Sequence, residues 1–424
     1  MAVGCRFPSA VSKFLWGFQY LPMPQTSFYR EPKAENRKPK VMIVAGEPSG
    51  DLHASHVVRQ LKALSPDITL FGMGGDQMAA ASVELDLHIR DSAVMGFADV
   101  VTVLPMFLRK QAYLKRRIRE ERPDVLLLVD FAEFNMPLAK FARRQGVSVV
   151  YYIPPKAWAW RAKRARKLAK WADVVAAIFP FEAEFYRNAG ANAEFVGHPL
   201  VDFARTPLTM HEAREHLNLC GTGDDQDAPV IGLMPGSRRS EIRHILPVIL
   251  EAAANIAQVY PNAHWILPLA PGISRERIAE CQQGLSNVEV PPIKIVEEMT
   301  YTAMRASTLL LVTSGTATLE ATCIGTPMII LFRTVALNWH IVKALTPLNR
   351  SGLPNLIAGR DIVPELLQTE LTPTALTELA LDFLRNPQKR EEQRDALQAV
   401  YAQLGTAGAS ERTAELVLDV VESL

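Results

Sequence analysis

Asp130 closes the apolar run Val125-Leu126-Leu127-Leu128-Val129, and Glu133 and Asn135 are expected in the loop behind it. A carboxylate at the carboxyl end of a buried strand can take a proton from a hydroxyl in a cleft, which makes Asp130 the candidate general base. Capping of the following helix is the competing structural role. Glu47 and Asp51, in the turn GEPSGD at 46–51, form a second acidic loop on the same face and carry the same alternative.

Two further turns have the chemistry of anion binding. In Pro235-Gly236-Ser237-Arg238-Arg239, small residues and a doubled arginine separate an apolar run from a helix-like stretch. Free backbone N–H groups and the positive end of a helix hold phosphate at such a junction, and the Arg238 guanidinium suits bidentate contact. Ser314-Gly315-Thr316 offers amides and hydroxyls at another helix start, and Glu320, one turn further on, can accept hydrogen bonds from sugar hydroxyls. A capped helix explains the second loop equally well by itself, but two such loops in one half point to a nucleoside diphosphate. Neither turn is a P-loop or a GxGxxG fingerprint, which argues against an NTPase and a dinucleotide enzyme. His53 and His56 lack a third ligand close in sequence, and Asp225-Gln226-Asp227 lies in a polar linker rather than after a strand. No metal and no cofactor are expected.

The elements that must position these residues alternate. The apolar stretches 41–45, 124–130, 147–153 and 173–179 are separated by helical, largely basic segments. A second series begins at Val230 and runs through AHWILPLA, IKIVE, TLLLVTSG and PMIILF. Repeated strand–helix units imply α/β architecture with parallel, doubly wound sheets: two Rossmann-like domains facing a cleft, with ligands at the strands' carboxyl ends. Periodicity fails near 205–228. The expected organisation is an extension over 1–39, an acceptor-side domain over 40–205, a nucleotide-side domain over 206–408 and a C-terminal helix over 409–424. The extension reads as disordered or as a targeting segment.

Composition narrows the class. The 424 residues are 48% apolar and 21% charged, as in globular proteins that fold in water. With 46 basic and 45 acidic side chains, no global charge calls for nucleic acid. The four cysteines are widely spaced and read as reduced thiols, and no apolar run is long enough to span a bilayer. Basic charge is nevertheless clustered. Leu104, Phe107 and Leu108 precede Arg109, Lys110, Lys115, Arg116, Arg117 and Arg119, and six more cations lie between Trp158 and Trp171. Apolar side chains beside cations suit an interfacial segment on an anionic membrane, with Leu104, Phe107 and Leu108 as the inserted residues. A core helix with a solvated basic face is the alternative.

The blocks VAGEPSGD, VMGFADV, DFAEFN, WAWR, FPFE, FVGHPL, PGSRRSEI, SGTATLEA and LPNLIAGR occur in this order. Over about residues 40–420 the chain resembles the lipid-A-disaccharide synthase family. The resemblance implies an inverting glycosyltransferase of GT-B architecture. Its partners would be UDP-2,3-diacylglucosamine and 2,3-diacylglucosamine 1-phosphate, joined through the acceptor 6-hydroxyl with release of UDP. It implies a cytoplasmic enzyme peripheral on the inner membrane, and it leaves a homodimer open. It carries the family's catalytic aspartate onto Asp130, its acidic loop residue onto Glu47, its phosphate arginine onto Arg238 and its donor-site asparagine onto Asn355. Two blocks depart from the pattern. D-x-P-D-F-N is here Asp130-Phe131-Ala132-Glu133-Phe134-Asn135, and V-S-P-S-x-W-A-W is here Ile153-Pro154-Pro155-Lys156-Ala157-Trp158-Ala159-Trp160. The second change loses two hydroxyls and gains a cation. Rival readings are another UDP-sugar enzyme on the same fold, such as a UDP-N-acetylglucosamine epimerase, and a non-catalytic UDP-sugar-binding protein.

Overall fold

The computed structural model describes residues 38–92, 100–160, 162–219, 228–270, 272–285, 288–334 and 350–424. The extension before residue 38, the linker at 220–227 and much of the block VMGFADV lie outside these. The first sheet comprises β1 (Lys40–Ala45), β2 (Thr69–Gly74), β3 (Glu84–His88), β4 (Val125–Val129), β5 (Ser148–Tyr152), β6 (Val174–Ala177) and β7 (Ala193–Phe195). They lie in the order β3-β2-β1-β4-β5-β6-β7, every neighbour parallel.

The second sheet comprises β8 (Val230–Met234), β9 (His264–Pro268), β10 (Ile293–Val296), β11 (Leu309–Thr313), β12 (Met328–Phe332) and β13 (Glu365–Leu367), in the parallel order β10-β9-β8-β11-β12-β13. The central strands were legible as continuous apolar runs because both of their faces are covered. Val41, Ile43 and Ala45 pack into one core cluster with Val125, Leu127 and Val129; Met42 and Val44 pack into another with Leu126 and Leu128. Strands β2, β3, β7 and β13 were not foreseen. Three of them are short edge strands, where one side has no neighbour and apolar side chains are less needed.

Strand order reverses between β1 and β4 and again between β8 and β11. At such a switch the following loops diverge and leave a crevice. Ala45 is level with Val129, and Met234 with Val312, so each crevice brings two candidate loops out side by side.

The chain passes between the sheets twice. The short helix Leu200–Phe203 belongs to the first core, whereas Ala213 of the helix Met210–His216 packs with Val230, Ile266 and Ala303 of the second. The final helix, Ala409–Glu422, returns to the first sheet, with Ala414 and Val417 in the same cluster as Val57, Leu61 and Val150. The two passages are tied together: His198 N–H donates to Leu404 O at 2.8 Å, and Gly408 N–H to Asp202 Oδ1 at 2.7 Å.

Candidate active site

Asp130 sits one residue beyond β4 in a left-handed backbone conformation, φ 48°, and Phe131 repeats it at φ 48°. Non-glycine residues avoid this region unless the surroundings hold them there. Here the Asp130 carbonyl accepts from Asn135 Nδ2 and from Tyr151 Oη, both at 2.8 Å, and its N–H donates to Tyr152 O at 3.0 Å. Asn135 Nδ2 also reaches Val129 O at 3.2 Å. Glu133 and Asn135 are therefore not loop residues: they lie in the first turns of the helix Ala132–Arg144, and Asn135 is fully buried as a backbone clamp. The Phe131 ring stacks on Phe134 and passes over Gly46, where a Cβ would lie only 2.0 Å from it. That contact explains why a glycine precedes Glu47.

Asp130 opens into a pocket of about 290 Å³ shared with Glu133, the turn Ile153–Ala157 and Arg164. Burial raises the Asp130 carboxyl above the ordinary carboxylate range, and Lys156 together with the Phe131 N–H pulls it back down. The turn beside it is fixed by side chains behind the pocket. Tyr186 Oη donates to Pro155 O at 2.5 Å, and Trp158 Nε1 donates to Glu182 Oε1 at 3.1 Å. Glu182 is fully enclosed, and burial pushes its carboxyl up to about 8. Neither tyrosine nor Glu182 was singled out from the sequence; only the tertiary contacts reveal their role.

Glu47 and Asp51 part company. Asp51 is buried and accepts from the Gly75, Gln77 and Met78 N–H groups at 2.7, 3.0 and 3.1 Å, capping the helix Asp76–Ala80. Glu47 stays open to solvent just before the helix Pro48–Leu64 and caps nothing. Enclosure by the surrounding protein and the charge of Asp130 raise its carboxyl, while Arg238 of the second half lowers it. The charge of the arginine loop is thus felt at the acidic loop of the other half. His53 and His56 stack on Phe203, and burial drives His53 down to about 4, so it is held neutral.

In the second half, Gly236 has φ 114° and Arg238 is 79% exposed. The Ser237 and Arg238 N–H groups converge on one acceptor, as the sequence suggested, but that acceptor is Glu241. Its Oε2 receives them at 2.9 and 3.1 Å, and Oε1 pairs with the Arg238 guanidinium at 3.2 Å. A carboxylate from the first turn of the helix Arg239–Val259 occupies the anion nest.

The companion loop is more open: the helix Thr316–Ile324 starts at Gly315, which has no side chain to cap it, and Gly315 and Thr316 are exposed. Ser314 Oγ is turned away to Ser351 O at 2.9 Å. Glu320 accepts from Tyr301 Oη at 3.2 Å, and burial raises its carboxyl.

The structure places Asn355 inside the second half. It is fully buried and its amide is saturated: Oδ1 accepts from the Ile362 and Val363 N–H groups, and Nδ2 donates to Val363 O and to Glu365 Oε1 at 2.7 Å. Nothing remains for a direct ligand contact. Asn355 instead orients Glu365, which accepts from Ser351 N–H and Oγ at 2.7 Å each. Of the three expected membrane residues, Phe107 is partly buried. It packs edge-on against Phe134 at 4.7 Å and Phe131 at 5.8 Å, against the flank of the core that supports Asp130. Leu108 is 54% exposed, and the Leu104 side chain lies outside the described residues.

A model of the family described as lipid-A-disaccharide synthetase matches residues 41–420. The chain is 40% identical over 382 residues to the lipid-A-disaccharide synthase of Geobacter metallireducens, covering 90% of this chain and 97% of that one. Against the enzyme of the same name from Myxococcus xanthus it is 39% identical over 383 residues, covering 90% and 98%. Among solved structures, the UDP-GlcNAc 2-epimerase of Neisseria meningitidis bound to UDP-GlcNAc superposes with a TM-score of 0.60 at 16% identity, covering 90% of this chain and all of that one. MurG of Acinetobacter baumannii gives 0.56, also at 16% identity and with 90% and 100% coverage. At that identity the likeness is one of fold, the paired parallel sheets of GT-B proteins.

Proposed function

The chain belongs to the lipid-A-disaccharide synthase family, and from that premise we propose that it transfers 2,3-diacylglucosamine from its UDP derivative to the 6-hydroxyl of 2,3-diacylglucosamine 1-phosphate. Asp130 removes the proton of that hydroxyl as the oxygen attacks the anomeric carbon. The bond from that carbon to the diphosphate breaks, inverting the centre and releasing UDP. Negative charge grows on the departing diphosphate, so Arg238 and the amides of Ser237, Gly315 and Thr316 act most strongly in the transition state. Glu320, steadied by Tyr301, accepts from sugar hydroxyls of the nucleotide. Glu47, which feels the charges of both Asp130 and Arg238, adds a second carboxylate to the acceptor side of the cleft.

The observation that carries this reading is Asp130, locked by Asn135 and Tyr151 in a left-handed turn over a pocket at the strand switch. A raised carboxyl is a better proton acceptor than an ordinary one, provided it stays ionised near neutrality. The substrates are acylated, and no helix among the described residues is long and apolar enough to cross a membrane. Access is therefore assigned to a basic surface: Lys163, Arg166, Lys167 and Lys170 are exposed on a helix whose Ala165 and Leu168 are buried. The test is turnover of the two acylated substrates, with UDP and the disaccharide 1-phosphate measured together. Conversion of UDP-N-acetylglucosamine to an epimer, with no disaccharide formed, would contradict the reading.

A further inference from the structure

Beside Asp130, the pocket presents two cations whose situations differ. Arg164 is paired with Glu133 at 2.5 Å. Lys156 is exposed on the turn after β5 and, among the described residues, forms no ion pair. It stands where the related family pattern has a serine, so a neutral hydroxyl has been exchanged for a mobile charge. The turn that carries it is rigid, anchored through Pro155 O to Tyr186 and through Trp158 to Glu182. A lysine on a fixed turn, in no contact ion pair among the described residues and close enough to lower the Asp130 carboxyl from the same pocket, is placed to receive an anion beside the base.

We propose that Lys156, with Arg164 behind it, binds the 1-phosphate of the acceptor and so orients the acceptor 6-hydroxyl toward Asp130. This rests on the function proposed above and adds to it the recognition of the acceptor's charged end. On one pyranose ring the 6-hydroxyl and the anomeric phosphate project from the two sides of the ring oxygen. A site that must present the hydroxyl to a carboxylate therefore needs its cation on the same pocket but not at the carboxylate itself. The pocket meets that requirement, with Asp130 at the end of β4 and Lys156 on the neighbouring turn. The phosphate also accounts for the two cations together: one is neutralised by Glu133, and a phosphomonoester completes the charge of the other. Ammonium and guanidinium donors to phosphate are strong when partly enclosed, and Arg164 is only 18% exposed.

The test compares two acceptors, 2,3-diacylglucosamine 1-phosphate and the same sugar without phosphate, for wild type, Lys156→Ser and Lys156→Arg. Lys156→Ser is expected to lower kcat/KM about 10- to 100-fold for the phosphorylated acceptor, through KM, as for loss of a hydrogen bond to a charged group. The unphosphorylated acceptor should change by no more than about 2-fold, the donor KM should be unmoved, and Lys156→Arg should restore most of the loss. Equal losses for both acceptors would overturn the assignment and place Lys156 on Asp130 instead. No loss for either would overturn it as well. Wild-type protein that turns over neither acceptor would contradict the proposed function, and the phosphate assignment with it, before any variant is compared.

Discussion

Glu241 accepts from the Ser237 and Arg238 amides and pairs with the Arg238 guanidinium, the donors that the proposed function gives to the leaving diphosphate. On that proposal donor binding displaces it, and the carboxylate competes with the diphosphate for the same donors. Glu241→Gln removes that charge and is expected to tighten UDP binding roughly 3- to 10-fold by calorimetry, whereas Arg238→Ala should lower kcat/KM by about 10²–10³-fold. Unchanged or weaker UDP binding in Glu241→Gln would reduce the carboxylate to a helix cap. Arg238 was legible as a cation after Gly-Ser, but its internal partner was not, because a Glu three residues into a helix is also an ordinary capping residue.

Glu182 makes a second prediction. Burial holds its carboxyl at about 8 in the folded protein, above the ~4.5 of an unfolded chain, so its contribution to stability is full below about pH 4.5 and is lost as pH rises toward 8. Gln cannot ionise. Relative to wild type, Glu182→Gln should gain on the order of 2–4 kcal/mol between pH 5 and pH 8, since each tenfold change in proton affinity on folding is worth about 1.4 kcal/mol. Parallel urea-unfolding curves at the two pH values would contradict it.

At the scale of elements, what was legible followed from burial. β1, β4, β5, β6, β8, β11 and β12 announce themselves because buried parallel strands are continuous apolar runs. The helix Val100–Glu121 shows where that signal stops. Its apolar start and basic end suggested a membrane-facing stripe. Phe107 instead completes the aromatic packing under Asp130, and of the basic residues Arg117 pairs with Asp86 and Glu121 while Arg119 stacks on Phe141. Sequence cannot tell an apolar side chain that faces lipid from one that faces the next helix.

Leu108 and the cations of the helix Lys163–Trp171 are exposed, and the interfacial role is proposed for them. Leu108→Ser combined with Gln at Lys163, Arg166, Lys167 and Lys170 should abolish most binding to anionic vesicles at 0.1 M salt with little change in melting temperature. Phe107→Ser should lower the melting temperature. Vesicle binding that survives the combined variant would move the membrane face elsewhere.

At the scale of the whole molecule, two sheets are joined by two passages that bond to each other through His198–Leu404 and Asp202–Gly408. The loops proposed to hold the diphosphate and the proposed base belong to different halves, and Arg238 still lowers the carboxyl of Glu47. This arrangement was legible as two strand–helix series. The return of Ala409–Glu422 to the first sheet was not, since its apolar stripe states that it packs and not upon what. Likewise the resemblance carries a donor-site asparagine onto Asn355, and only the fold shows the hydrogen bonds its amide makes. The central claim is that a carboxylate in one half takes the acceptor proton while the other half holds the leaving diphosphate. Asp130→Asn keeps the side chain's shape and removes its basicity, so it separates the two halves' work. Turnover of the two acylated substrates should fall about 10²–10⁴-fold while UDP affinity stays within about 2-fold of wild type. Near-normal turnover by Asp130→Asn, with turnover collapsing in Glu47→Gln, would contradict the account.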